Sequence, residues 1–309
     1  MTRLRAAPAL FAAIALLVAG GAVARRVERA RGALRGGTSF GSSYVPPLFE
    51  EIVHTRLRYS DGTYAVVVRP RAGGEPTVLS GSSRTAARGL ANRHGFVVWS
   101  VDGNRTMFRS GARGAEPPAV ERYATSLLDG MGAEGRLATL RCRDELETLD
   151  LTTGRVSPIP ASRRLLDGLR PQQLRFAQWA LGLGGRAVLV RPVGDRFAMR
   201  LVSLPDGRAV TLRESTDILM RPRFAPDGAS FTFVERTSSG WHVRRRRVDD
   251  GSETTLFRSS RFIESAEAHP DGRHLLLTLG DDAEFHGYMS GLHVYEMDLA
   301  SGRLERIGE

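Results

Sequence analysis

The sequence predicts an all-β fold: a six-bladed β-propeller of four-stranded blades, preceded by an N-terminal signal peptide or membrane anchor. Three periodic observations predict it. A turn and its following apolar run, Arg223-Phe224-Ala225-Pro226-Asp227-Gly228 and then Phe231-Thr232-Phe233-Val234, return as Glu267-Ala268-His269-Pro270-Asp271-Gly272 and then Leu275-Leu276-Leu277, with the prolines 44 residues apart. That interval suits one four-stranded blade. A glycine precedes the second strand of each block at Gly95, Gly135, Gly185, Gly228 and Gly272, at intervals of 40, 50, 43 and 44 residues. A second glycine turn recurs before the last strand of a block at Gly154, Gly207, Gly251 and Gly302. Two marks in a fixed order at this spacing define a repeat, and the residues Pro226, Asp227, Gly228, Pro270, Asp271 and Gly272 are expected to be structural turns.

Along the chain, residues 1–24 read as a signal peptide or an uncleaved membrane anchor. Arg3 and Arg5 form a basic start, Pro8 to Val18 is almost wholly apolar, and Ala22-Val23-Ala24 offers a small-x-small cleavage pattern. Residues 25–50, basic and then rich in Gly, Ser and Pro, read as a tether, with Tyr44 to Phe49 as an alternative edge strand for the first blade. Residues 51–309 form the propeller. The expected strands are His54–Tyr59, Tyr64–Arg69 and Thr77–Leu79; Phe96–Val101, Thr106–Arg109 and Val120–Tyr123; Leu137–Cys142, Leu146–Leu151 and Arg155–Ile159; then Leu174–Leu181, Ala187–Arg191, Phe197–Ser203 and Ala209–Leu212. The last two blades carry the two Pro-Asp-Gly turns. Runs such as Phe96-Val97-Val98-Trp99 and Leu275-Leu276-Leu277 are apolar on both faces, so each sheet must be covered twice. A ring of blades does this with neighbours on either side.

Composition narrows the function. Across 309 residues, 41% hydrophobic content allows a large core. The net charge of +10 comes from arginine alone, since the chain has no lysine, and residues 1–40 carry +6 of it. The body is only mildly basic, so no nucleic-acid partner is expected. Cys142 is the sole cysteine, which excludes an intrachain disulfide and multi-thiolate metal sites.

The pattern Phe224-Ala225-Pro226-Asp227-Gly228, with Leu292-His293-Val294-Tyr295-Glu296-Met297-Asp298-Leu299-Ala300-Ser301-Gly302-Arg303 in the last blade, resembles the repeat of TolB-like β-propellers. It is close over 219–309 and degraded before that. The resemblance implies a six-bladed ring, an envelope location and a protein-binding role. Full TolB proteins also carry an α/β domain before the propeller, and only a short arm stands there in this sequence.

The candidate chemistry is sparse. Asp281, Asp282, Glu284, His286 and Tyr288, in the loop between the second and third strands of the last blade, are the candidate binding residues. They lack a fixed ligand spacing. His269 and His274 flank the same blade's first turn, and the remaining histidines do not recur in register. Arg244-Arg245-Arg246-Arg247 alternates along a strand, so its side chains divide between two faces, where Asp249, Asp250 and Glu253 are near enough to cap them. No phosphate loop, nucleophile elbow or metalloprotease helix occurs. The expectation is therefore a non-catalytic protein-binding scaffold, periplasmic or otherwise in the cell envelope, with no cofactor and no metal ligand set. Its partner is another envelope protein, with membrane contact through residues 1–24 if these are uncleaved. The alternatives are a cytoplasm-facing anchored scaffold and a metal-assisted lyase or hydrolase. The latter would act on an acidic glycan or small molecule at the funnel, using His269, Asp281, Asp282 and His286.

Overall fold

The computed structural model describes residues 38–44, 51–58, 63–70, 75–79, 87–92, 94–102, 105–111, 119–123, 127–142, 145–174, 176–204, 206–269, 271–281 and 292–307. The leader at 1–24 and most of the expected tether lie outside them. Among the described residues no helix is long and apolar enough to cross a membrane.

The described strands fall into six four-stranded antiparallel sheets, each a meander in chain order. The first holds β1 (Thr38–Tyr44), β2 (Glu51–Arg58), β3 (Thr63–Pro70) and β4 (Thr77–Val78). The second holds β5 (Ala87–Asn92), β6 (Gly95–Asp102), β7 (Arg105–Gly111) and β8 (Ala119–Tyr123). The third holds β9 (Leu127–Met131), β10 (Leu137–Cys142), β11 (Glu145–Asp150) and β12 (Val156–Pro158). The fourth holds β13 (Gln178–Leu181), β14 (Arg186–Val193), β15 (Arg196–Ser203) and β16 (Ala209–Ser215). The fifth holds β17 (Ile218–Phe224), β18 (Ser230–Thr237), β19 (Gly240–Arg247) and β20 (Glu253–Ser259). The sixth holds β21 (Ile263–Ala268), β22 (His274–Leu279), β23 (His293–Asp298) and β24 (Leu304–Ile307). First strands of neighbouring sheets touch, β13 on β17 and β17 on β21, so these strands line the inner side of the array. The fold is an all-β propeller.

Double coverage of the sheets is visible residue by residue. Along β14, Ala187 and Leu189 enter a core shared with the third sheet, while Val188 and Val190 enter one shared with the fifth. Along β18, Phe231 and Phe233 face the fourth sheet, whereas Val234 faces the sixth. Leu275, Leu277 and Leu279 of β22 complete that second core against Trp241 and Val243. Alternation at period two sends successive apolar side chains to opposite neighbours, so a strand that reads as continuously apolar is buried on both faces. Trp179, fully buried, also donates its indole N–H to the Leu140 carbonyl at 3.3 Å and ties the fourth sheet to the third.

All nine marker glycines have positive φ. Three strands were not expected from the sequence: β1, β5 and β9, the first strands of the first three sheets. β1 lies inside the stretch 25–50 expected to be a tether and pairs with β2 from Thr38↔Arg58 to Tyr44↔Val53, so the first sheet begins before residue 51; beyond Tyr44, the alternative edge strand Tyr44–Phe49 lies outside the described residues. The expected strand Leu174–Leu181 is shorter: Pro171–Leu174 is a helical turn, and pairing starts at Gln178. A second short helix, Ser162–Leu166, buries Leu165 and Leu166 beside Trp179 and covers the insertion between the third and fourth sheets. Cys142 ends β10, and its side chain lies outside the described set.

Candidate functional site

Three polar arrangements stand out, and the first is the four-arginine strand. Arg244 Nε donates to Glu235 at 2.6 Å, and Arg246 donates to Glu253 at 2.7 Å. Arg213 of β16 reaches across from the fourth sheet to the same two carboxylates, pairing with Glu235 and donating to Glu253 at 2.7 Å. Arg247 turns to Asp249 at 2.6 Å. Arg244, Arg246 and Arg247 thus bind acids of their own sheet, and Arg213 staples two sheets together. Glu235, fully buried, is the acid that sequence reasoning did not include. A carboxylate there is tolerable because two guanidinium groups surround it.

The second arrangement lies on the inner strands. Gln178 of β13 accepts the Arg221 backbone N–H at 2.6 Å, and the Arg221 guanidinium pairs with Glu264 of β21. Three successive sheets therefore contribute one polar side chain each to a row. Arg221 is the non-glycine residue with positive φ (54°) among those described, at a bulge where the β17–β18 register shifts between Met220 and Arg223. Bulges re-aim side chains at the cost of local strain. Two residues further on, Arg223 donates to Glu267 at 2.9 Å, both side chains buried between the fifth and sixth sheets. Burial pushes the Glu267 carboxyl up to about 7, against the opposing pull of Arg223. Gln178 and Arg221 both stand seven residues before a marker glycine, so laying the repeats in register is the sequence signal that finds them.

The third arrangement is the turn that opens the sixth sheet. The His269 N–H closes onto the His274 carbonyl at 2.9 Å, bringing the two histidines to opposite sides of the turn. Between them, Asp271 places Oδ1 3.0 Å from His269 Nδ1 and Oδ2 2.6 Å from His274 Nδ1. Asp271 Oδ1 also accepts the backbone N–H groups of Arg273 (2.8 Å) and His274 (3.1 Å). Partial desolvation raises the Asp271 pKa, but the His274 imidazole, these two N–H groups and His269 outweigh it and hold the carboxyl well below the usual range. The rings meet edge-on, with centroids 5.8 Å apart. One donor atom from each of the three residues lies within 4.8 Å of the other two, which makes this the group among the described residues able to hold a metal ion. The sequence reading treated Asp271 as a turn residue alone and placed its metal-assisted alternative on His269, Asp281, Asp282 and His286. In the structure its carboxylate also lies between the two imidazoles.

Of the candidate loop, Asp281 is described. Its carboxylate lies 3.2 Å from His293 Nε2, and His269 is not part of that contact. Asp282, Glu284, His286 and Tyr288 lie outside the described residues, as does Pro270. Burial first, then the Arg306 guanidinium, pushes the His293 imidazole below its usual range. A Ser–His contact exists at Ser239 Oγ to His242 Nε2, 3.3 Å, in the β18–β19 hairpin. His242 Nδ1 has no hydrogen-bond partner among the described residues, so the orienting third member of a nucleophile triad is not there.

No family's sequence model matches the chain, and no curated protein matches it by sequence. Solved structures do. The chain superimposes on TolB from Acinetobacter baumannii with a TM-score of 0.57 at 16% identity, covering 88% of this chain and 63% of that one. It matches the β-propeller domain of the Trilobed protease from Pyrococcus furiosus (TM-score 0.56, 8% identity, 88% and 84% covered). It also matches oligogalacturonate lyase from Vibrio parahaemolyticus (0.52, 9%, 88% and 79%). The fold is that of the TolB-type β-propellers. It is shared by a protease's propeller and a lyase, so the fold by itself selects none of their activities.

Proposed function

We propose that the protein is a non-catalytic, protein-binding platform of the bacterial cell envelope, exported or held at the membrane by residues 1–24. Its six sheets are read as the six blades of one ring, a reading supported by β1 lying against β23 and so bringing the first sheet to the last. The observation that carries the functional reading is what four buried or half-buried carboxylates of the fifth and sixth sheets do. Glu235, Glu253, Glu264 and Glu267 are each engaged by arginines, most of them from a neighbouring sheet. Carboxylates clamped this way fix neighbouring sheets to one another. A rigid frame with variable loops is the construction that binding platforms use. The partner surface is assigned to the loop at 281–291, with Asp281, Asp282, Glu284, His286 and Tyr288 as its polar contacts.

The test is site-specific photocrosslinking from position 284 in intact cells, repeated after residues 282–290 are replaced by a Gly-Ser linker of equal length. The expected result is one discrete protein adduct, abolished by the replacement, with the purified variant still folded by circular dichroism. Cleavage of an acidic oligosaccharide by the purified chain, with no adduct, would support the lyase reading instead. An alkaline phosphatase fusion after Gly36 reports the location: it is active if the chain is exported and inactive if the body faces the cytoplasm.

A further inference from the structure

We propose that His269, Asp271 and His274 form a binding site for a single transition-metal ion, with zinc as the best-suited occupant. The proposal does not rest on the binding-platform reading. Two imidazoles and one carboxylate make a donor set of the kind zinc takes, whereas magnesium and calcium favour all-oxygen shells. The three donor atoms already lie within 4.8 Å of one another. Tetrahedral zinc with bonds of about 2.0–2.1 Å needs ligand atoms roughly 3.3 Å apart, so small side-chain rotations suffice.

The surroundings favour a held geometry. Asp271 Oδ1 is occupied by the backbone N–H groups of Arg273 and His274, which orients the carboxylate and leaves Oδ2 turned toward His274. On the far side of the His274 ring, Nε2 stands 3.8 Å from Asp298 Oδ2. With Nδ1 on the metal, Nε2–H would face that carboxylate, the outer-shell arrangement that fixes tautomer and ring orientation in many histidine-metal sites. Asp298 is itself held by the N–H groups of Ala300 and Ser301 in the β23–β24 turn, so the carboxylate is anchored by a second hairpin. The three ligand side chains remain partly exposed, at 19%, 35% and 29%, which gives the ion an entry path and leaves a coordination position open to solvent. The equivalent turn of the fifth sheet has Ala225 and Ser230 at the two histidine positions, so the donor set is particular to the last sheet and is not a by-product of the repeat.

The test is isothermal titration of the metal-free, untagged full-length chain with zinc chloride, alongside calcium chloride. The expected result is one saturable zinc site per chain and no calcium binding at the same concentrations. His269→Ala and His274→Ala should each weaken zinc at least about tenfold, and Asp298→Asn, a positioning change, about tenfold with the stoichiometry kept. An isotherm that does not saturate at one ion per chain, or that is unchanged in the doubly substituted His269→Ala/His274→Ala protein, overturns the proposal. Should the variants fail to fold, cobalt loading of the unsubstituted chain decides. A strong visible band of four-coordinate cobalt, removed by zinc, supports the site, and a weak six-coordinate spectrum overturns it.

Discussion

At Gly228 and at Gly272 the chain adopts the same φ of +67°, and in both turns the glycine N–H closes onto the carbonyl three residues earlier, at 2.9 and 3.0 Å. The two turns differ in what surrounds them. A Cβ added at Gly228 would stand 3.0–3.2 Å from Leu183, whereas one added at Gly272 would meet nothing within 4 Å. The Asp227 side chain accepts the Ala229 N–H at 2.9 Å, while Asp271 is enclosed by two imidazoles and two backbone donors. One repeat motif thus serves as a packing joint between sheets in one blade and as an open polar cluster in the next. The backbone device is common to both; the chemistry comes from the residues that replace its small neighbours.

The largest test of that difference is the pair Gly228→Val and Gly272→Val. Both force a β-branched residue into the left-handed region, and the first also drives side-chain atoms into Leu183. Denaturant unfolding should show Gly228→Val losing about 3–4 kcal/mol and Gly272→Val about 1–2 kcal/mol. Equal losses would mean that the surroundings of the turn do not matter.

A second test uses the pair that joins the two repeats, Arg223 and Glu267, each three residues before its proline. The folded-state pKa of Glu267 is raised to about 7 by burial, against an ordinary 4.5. A raised carboxyl contributes stability fully below pH 4.5, and this is lost as pH climbs through 7, because the unfolded chain releases its proton first. Unfolding free energy should therefore fall between about pH 4.5 and 7 by on the order of 2–3 kcal/mol from this group. Glu267→Gln should flatten that slope. A slope that persists in the variant would assign the effect to other groups.

A smaller effect is expected at Thr232, whose hydroxyl donates to the Ala266 carbonyl at 2.7 Å between the fifth and sixth sheets. Thr232→Val removes that buried bond while nearly keeping the shape, and should cost about 1–2 kcal/mol by thermal or denaturant unfolding.

Much of the fold was legible because second strands such as Ala187–Leu189 and Leu275–Leu277 are apolar on both faces and are preceded by marker glycines. The inner strands β5 (Ala87–Asn92) and β9 (Leu127–Met131) were not, because each contains a glycine and a charged residue and shows no apolar alternation. A strand whose pairing is set by its neighbour and by the crowding of inner strands needs no hydrophobic signal of its own. At the site, the Arg244–Arg247 run was readable as arginines capped by acids, but Glu235 is nine residues away and joins them through strand pairing alone. His269 and His274 were visible individually. Their meeting across Asp271 depends on the turn closing between residues 269 and 274, a fact of backbone geometry that the missing recurrence of histidine in other blades obscured.

The central claim, that the turn of the sixth sheet is a ligand site while its counterpart is a joint, is tested most directly by giving it the counterpart's residues. The His269→Ala/His274→Ser chain and the unsubstituted chain are melted with and without zinc. At zinc concentrations about a hundredfold above the dissociation constant, binding adds about 2.7 kcal/mol to the folded state. The unsubstituted chain should therefore gain several degrees in Tm, the substituted chain should gain none, and without zinc the two should melt close together. An equal zinc-induced rise in both chains, or none in either, would contradict the claim.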